Sequence, residues 1–327
     1  MRIFVTGGAG FIGSHFVRTA LTGGYPELGE VAVTVFDSLS YAGNLANLGP
    51  VEASPSYSFV KGDITDLARV DAALPGHDAV VHFAAESHVD RSIAGATPFV
   101  VTNVLGTQVL LEAALRHGVA PFVHVSTDEV YGSIAEGSWP ETDPLQPNSP
   151  YSASKASSDL VALAYHRTHG LDVRVTRCSN NYGPYQYPEK VIPLFVTNLI
   201  EGKRVPLYGD GLNVRDWLHV DDHCQGIAKV LLGGKGGEVY NIGGGTELTN
   251  RELTDRLLAA FGRGEESIEY VEDRKGHDRR YSVDWSKIRD ELGYAPRHDF
   301  ASGLEDTIAW YRDHEAWWRP LKYPASA

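Results

Sequence analysis

Short apolar runs alternate with amphipathic stretches through the first half of the chain. Runs at 2–6 (RIFVT), 31–36 (VAVTVF), 57–60 (YSFV), 79–83 (AVVHF), 121–125 (PFVHV) and 172–176 (DVRVT) read as strands. Stretches with helical spacing lie between them, at 11–22, 66–73, 98–117 and 151–169. Strands that are apolar throughout, rather than at alternate positions, are buried on both faces. Their alternation with helices predicts an α/β fold built on a doubly wound parallel (Rossmann) sheet.

The regularity breaks near residue 177. Prolines and aromatics crowd NNYGPYQYPEKVIP (180–193), a helix-like stretch follows at 191–201, and YGDGLNVRDW (208–217) reads as a loop. Further on, strands are predicted at 239–242 and 268–271, and helices near 249–261, 284–292 and 302–315. We read residues 1–177 as the nucleotide-binding domain, with later returns near 219–243. Residues 178–327 are mainly a smaller mixed α/β domain that binds substrate over the end of the sheet.

At 327 residues and 43% hydrophobic content, the chain can bury a large core. Its formal net charge of −13 argues against general binding to DNA, RNA or anionic membranes. Cys178 and Cys224 have no CxxC spacing, so neither a disulfide framework nor a thiolate zinc site is expected, and a reducing cytoplasm fits. Glycines interrupt the apolar N-terminal stretch, which argues against a signal peptide. No apolar run of membrane-spanning length is evident.

TGGAGFIG places Gly7, Gly10 and Gly13 directly after the first strand and at the start of the first helix. Glycine there permits a tight turn and close approach of a pyrophosphate, which the helix N-terminus can receive. Asp37 ends the second strand, 24 residues after Gly13. A carboxylate in that place accepts ribose hydroxyls and repels a 2′-phosphate, favouring NAD over NADP. Asp63 and Ile64, in KGDIT after the third strand, are candidates to flank the adenine.

YSASK sets Tyr151 and Lys155 on one helical face, where an ammonium favours the phenolate of a general base. The strand at 121–125 runs into Ser126 and Thr127, and an acid pair, Asp128 and Glu129, follows at once. Neighbouring carboxyls can hold different protonation states, since repulsion and unequal burial push their pKa values apart. HVDDHC (219–224) brings His219, Asp221, Asp222, His223 and Cys224 close together, but Asp221 or Asp222 reads better as a helix N-cap, and no metal is expected.

In their order along the chain, TGGAGFIG, the Ser/Thr strand end and YxxxK resemble the extended short-chain dehydrogenase/reductase family. STDEVYG, FAAESHVDRS (83–92), NNYGPYQYPEKVIP, GDGLNVRDWLHVDDHC (209–224) and DRKGHDRRYS (273–282) are similar to its dTDP-glucose 4,6-dehydratase group. The resemblance implies an NAD-dependent lyase acting on a sugar nucleotide, dTDP-glucose. It implies that Tyr151 takes the carbon 4 hydroxyl proton, with Thr127 on the forming carbonyl and Lys155 behind Tyr151. Glu129 then removes the carbon 5 proton, and Asp128 protonates the departing carbon 6 hydroxyl.

The same resemblance implies further contacts. Phe11, Ile12 and Ala84 would join the glycines around NAD. Arg215 and Arg274 would hold the diphosphate, with Asn180 and Asn250 as companions and His277 and Tyr281 in the same loop. Glu189 and Lys190 would orient the sugar, and Ser87 and His88 would approach the hexose. Helices 98–117 and 151–169, too apolar for one buried face, would pair across a homodimer; on the residues alone, burial of both within the monomer is the alternative. Two other readings stand: a nucleotide-sugar 4-epimerase or UDP-glucuronate decarboxylase, neither of which needs the acid pair, and a non-catalytic NAD-sensing scaffold.

Overall fold

A computed structural model of the protein describes residues 1–324. The first half runs β1 (Arg2–Thr6), α1 (Phe11–Leu21), β2 (Ala32–Asp37), β3 (Tyr57–Lys61), α2 (Leu67–Ala73), β4 (Ala79–His82) and α3 (Val89–Ala94). Next, α4 (Thr97–Phe99) continues through a π-helical stretch at Val100–Gly106 into α5 (Thr107–His117). Strand β5 (Phe122–Thr127), α6 (Pro150–His169) and β6 (Val173–Cys178) complete it.

These strands and β10 (Val239–Ile242) form one seven-stranded sheet, in the order β10-β6-β5-β4-β1-β2-β3. Every neighbouring pair is parallel, as expected from the uninterrupted apolar strands. The strand order reverses between β1 and β4, and a crevice opens at their carboxyl ends, where such sheets bind ligands. One face is packed by α1 and by α8 (Val220–Gly233) and α10 (Ser286–Leu292), through Phe16, Val17, Ile227 and Ile288. The other is packed by α2, α5 and α6, through Val70, Leu110, Ala113 and Ala162.

Helix α6 starts where local chemistry dictates. Ser149 caps it in a reciprocal capping box with Ser152, Pro150 takes the first position, and Gly170 stops it in the left-handed conformation. That start fixes which residues of YSASK face the crevice.

The smaller lobe holds β7 (Asn180–Tyr182), β9 (Val214–His219) and β11 (Glu247–Thr249) as a mixed sheet, and β8 (Val205–Tyr208) paired with β12 (Ile268–Val271). Helices α7 (Val191–Ile200), α9 (Asn250–Ala260), α11 (Phe300–Asp313) and α12 (Glu315–Lys322) close over them. Their shared core includes Ile192, Phe195, Leu253, Leu257, Leu304 and Trp318.

Three expectations change. Strand β9 starts inside the stretch read as a loop, and its charged Arg215 and Asp216 are buried. The N-cap of α8 is His219, whose ring accepts from the Asp221 N–H; Asp221 and Asp222 sit in the first turn, bonded to His15 and to the N–H groups of Arg297 and His298. By length and composition the helix Thr97–His117 is apolar enough to cross a membrane, yet half of its most apolar stretch is buried, with α5 packed on α2 and α6.

Candidate active site

Most of the crevice is built at strand ends. β1 ends at Thr6, and the chain turns through Gly7, at φ 68°, into the N-terminus of α1. A Cβ on Gly7 would lie 2.5 Å from the Ala84 nitrogen, and one on Gly13 would lie 2.4 Å from the Gly7 oxygen, so the turn closes only with glycine. Gly10 differs: a Cβ there would meet only the Gly7 oxygen, at 3.3 Å. Nothing else among the described residues crowds it, and the bare backbone faces the cavity at the α1 N-terminus, a cradle that fits a pyrophosphate.

Asp37 ends β2 and lines the same cavity, of about 360 Å³. Its two oxygens accept the N–H groups of Ala9 (2.9 Å) and Leu39 (2.8 Å), which tie the glycine-rich turn to β2. Burial raises its pKa and these two bonds hold it down. Asp63 accepts from the Thr65 N–H and hydroxyl, and the buried Ile64 packs against α2 and α5 neighbours. Phe11, Ile12 and Ala84 complete this end of the cavity. The donor set fits a dinucleotide.

At the other end β5 delivers its hydroxyls and acids together. Thr127 caps a short 3-10 turn, Asp128–Tyr131, by accepting from the Glu129 N–H. The Asp128 carboxyl is buried, and its Oδ2 has no hydrogen-bond partner among the described residues. Burial, then the neighbouring charges of Glu129 and Asp216, push its pKa well above the carboxylate range. Burial raises Glu129 too, but Lys190, Arg215 and Arg274 oppose it. The pair is therefore electrostatically unequal: Asp128 is pushed further toward its protonated form, opposed by Arg215 alone among the cations, whereas the Glu129 anion has Lys190, Arg215 and Arg274 in support.

Tyr151 and Lys155 face this pair from α6. The Lys155 ammonium donates to the Val125 carbonyl at 2.9 Å, and burial lowers its pKa to about 8. The Tyr151 phenol moves opposite to the expectation from YxxxK. Burial, then the charge of Glu129, raise its pKa well above the usual value, against the pull of the Thr127 hydroxyl. The physical reason is that burial penalises the phenolate and the Glu129 charge repels it, while the Lys155 ammonium is turned to the Val125 carbonyl.

Ser87, Asn180, Glu189 and Lys190 line the cavity as well. Lys190 donates to the Ser87 carbonyl at 2.8 Å, Glu189 pairs with Arg91 at 3.0 Å, and His88 Nε2 stands 3.8 Å from Glu189. The remaining predicted residues form a second cluster beyond the acid pair. Arg215 stacks over Tyr281 at 4.2 Å and donates to the Asp278 carbonyl, and Tyr281 donates to the Asp278 carboxylate. Arg274 pairs with Asp90 at 2.6 Å, and His277 pairs with Asp273 at 2.7 Å. Asn250 opens α9 with its N–H on the Asn213 carbonyl, and is not part of the cavity wall.

Sequence reasoning missed several wall residues. Glu86 sits inside FAAESHVDRS, between Ala84 and Ser87, and lines the cavity with them. Tyr185 sits inside NNYGPYQYPEKVIP, whereas Tyr41, whose ring lies 3.9 Å beneath Arg91, and Asn47 and Trp317 carry no signal, because only the tertiary fold brings them to the cavity.

A parallel sheet with a glycine-rich turn at its switch point, and Thr, Tyr and Lys converging at the same edge, defines an extended short-chain dehydrogenase/reductase. More particularly, the chain belongs to the GDP-mannose 4,6 dehydratase family, whose model matches residues 4–307. Its relatives include the dTDP-glucose 4,6-dehydratase of Streptomyces antibioticus, 67% identical over 98% of this chain and 96% of that one. The dTDP-glucose 4,6-dehydratase of Streptomyces niveus is 62% identical over 100% of this chain and 97% of that one. Among solved structures, DesIV (dTDP-glucose 4,6-dehydratase) from Streptomyces venezuelae with NAD and TYD bound aligns with a TM-score of 0.97. It is 65% identical, over 98% of this chain and 100% of that chain.

Proposed function

We propose that this protein is an NAD-dependent dTDP-glucose 4,6-dehydratase. It converts dTDP-glucose to dTDP-4-keto-6-deoxyglucose and water. The observation that carries this reading beyond the fold is the unequal acid pair. Burial and neighbouring charge push Asp128 toward its protonated form, and three cations, Lys190, Arg215 and Arg274, favour the Glu129 anion, side by side at the end of β5 and opposite Tyr151. Epimerisation or decarboxylation after oxidation at carbon 4 has no use for such a pair.

NAD, when bound, supplies the acceptor for the hydrogen at carbon 4, its return to carbon 6, and a positive charge that favours the Tyr151 phenolate. Tyr151 takes the carbon 4 hydroxyl proton, and Thr127 hydrogen-bonds the oxygen that becomes a carbonyl. Lys155 holds its charge behind them, on the Val125 carbonyl. The new ketone acidifies carbon 5. Glu129 removes that proton, and Asp128 gives its own to the departing carbon 6 hydroxyl, so one water leaves. As hydrogen returns to carbon 6, Glu129 gives its proton back to carbon 5, and the proton that Tyr151 took restores Asp128, so the charges balance. Glycines 7, 10 and 13, with Phe11, Ile12, Asp37, Asp63, Ile64 and Ala84, hold the dinucleotide. Arg215 and Arg274 serve the diphosphate, assisted by Asn180, Asn250, His277 and Tyr281. Ser87, His88, Glu189 and Lys190 serve the hexose.

In this reading the parallel sheet is the NAD domain and residues 178–327 are mainly the sugar-nucleotide domain. The chain works as a homodimer through helices 98–117 and 151–169. Val100, Val101, Leu105 and Leu160, exposed on those helices, support that pairing. It works in the cytoplasm, in keeping with two buried free thiols.

The test is incubation of the purified protein with dTDP-glucose and no added NAD. A 4-keto-6-deoxy product is expected. An epimerised hexose that keeps its carbon 6 hydroxyl would overturn the reading, and so would bound NAD without any turnover.

A further inference from the structure

The cavity has a wall that comes from the far end of the chain. Trp317 and Leu321, both on α12, line it together with the glycine-rich turn. The Trp317 indole N–H donates to Asn47 Oδ1 at 2.9 Å, across 270 residues of sequence. The other end of that amide donates to the Ala9 carbonyl, within the glycine-rich turn, at 2.9 Å. Asn47 is buried, and Arg18 of α1 donates to its main-chain carbonyl at 2.6 Å. A single amide thus joins α12 to the turn that opens α1.

A second attachment lies further along α12: the Tyr187 hydroxyl donates to the Leu321 carbonyl at 3.2 Å. Between the two, Tyr185 takes a left-handed backbone, φ 69°, which a tyrosine rarely adopts. That conformation puts its ring 4.2 Å from the Arg18 guanidinium and 5.6 Å from the Trp317 ring. The root of α12 is fixed to the smaller lobe. Trp318 is fully buried and donates to the Tyr311 carbonyl, and Lys322 bonds Glu201, Thr197 and Asn198 on and beside α7.

We propose that α12 is a strap that retains the dinucleotide, with the Trp317–Asn47 bond as its catch. The inference rests on the reading of the cavity as an NAD site. It also supplies a reason for the strap. The dehydratase regenerates its cofactor within each turnover, so release is never required, and release midway would strand an oxidised sugar beside a vacated site. A helix anchored in the substrate lobe and caught on the glycine-rich turn holds both ligands in one closed space.

The test is the rate at which NAD leaves the purified full-length protein, measured by exchanging bound NAD against excess isotope-labelled NAD. Trp317→Phe keeps a ring beside Tyr185 but lacks the N–H. Tyr187→Phe removes only the second attachment. Each is expected to speed NAD exchange roughly fivefold, the worth of one net hydrogen bond, and Trp317→Ala by more than roughly tenfold. Exchange within about twofold of the unaltered protein in both phenylalanine variants would overturn the strap while leaving the NAD site intact. An unaltered protein that holds no NAD would overturn the cofactor reading, and the strap with it.

Discussion

The Lys155 ammonium of α6 donates to the Val125 carbonyl of β5 at 2.9 Å, two residues before Thr127. Helix and strand are thereby joined beneath the reacting groups. Burial lowers the lysine's pKa to about 8, so it is charged below that pH and loses its charge above it. Activity that needs the ammonium therefore has a descending alkaline limb near pH 8 in kcat/KM, which reports the free enzyme. Lys155→Met should lower kcat/KM by roughly 100-fold or more at neutral pH, and abolish that limb. Initial rates across the alkaline range check both, and a limb that persists in Lys155→Met would remove Lys155 from its assigned place.

The acid pair makes a sharper prediction, because its two members serve different steps. Glu129→Gln should still oxidise the sugar but fail to take the carbon 5 proton. Reduced cofactor should then accumulate in a single turnover, seen by its absorbance, with no loss of water. Asp128→Asn should slow elimination by roughly 100-fold to 10,000-fold, the range for loss of a general acid. Rapid-quench analysis of the sugar separates the steps. Normal dehydration by Glu129→Gln would show that another group removes the proton.

Much of this site could be read from the chain, for a physical reason. A buried parallel strand has to be apolar along its whole length, so β1, β2, β4, β5 and β6 stand out, and the polar residues at their ends mark the crevice. The smaller lobe lacks that signal. β7 and β11 have three residues each, too few to show a period. β9 buries Asp216, which looks like a loop acid until its partners are known: Ser179 and the N–H groups of Gly244 and Thr246. The cap of α8 is hard to read from the chain because histidine is an unusual N-cap and two aspartates stand next to it. The Asn47–Trp317 contact spans 270 positions and no local pattern encodes it.

The exposed aliphatic side chains on the two long helices give a prediction about assembly. Leu160 of α6 is 57% exposed and Val100 is 54% exposed. If these faces pair between copies, charge at their centre has to be desolvated on association, at a cost of several kcal/mol per buried ion. Leu160→Asp should sediment as a monomer under conditions in which the unaltered protein sediments as a dimer. A monomeric unaltered protein would exclude the pairing outright.

One turn beyond Lys155, Asp159 makes the deepest ion pair in the sheet lobe. Its carboxylate accepts Arg177 Nε at 2.9 Å and lies 3.3 Å from His124 Nε2, with Asp159 and His124 at 0% and Arg177 at 4% side-chain exposure. Burial would raise the aspartate's pKa, but Arg177 and then His124 hold it down to about 2. Its folded value lies below its unfolded one, so the stability it contributes is present above about pH 4 and is lost as pH falls through about 2. The contribution is about 2 kcal/mol. Removing one partner is worse than removing both: Asp159→Asn leaves a buried guanidinium uncompensated, at about 3–5 kcal/mol, whereas Asp159→Asn with Arg177→Met should recover part of that loss. Urea unfolding of the single and double variants at neutral pH measures the difference. Because the pair also ties α6 to β6, Asp159→Asn should lower kcat as it displaces Tyr151 and Lys155. An unchanged urea midpoint in Asp159→Asn would mean that the pair does not clamp the helix.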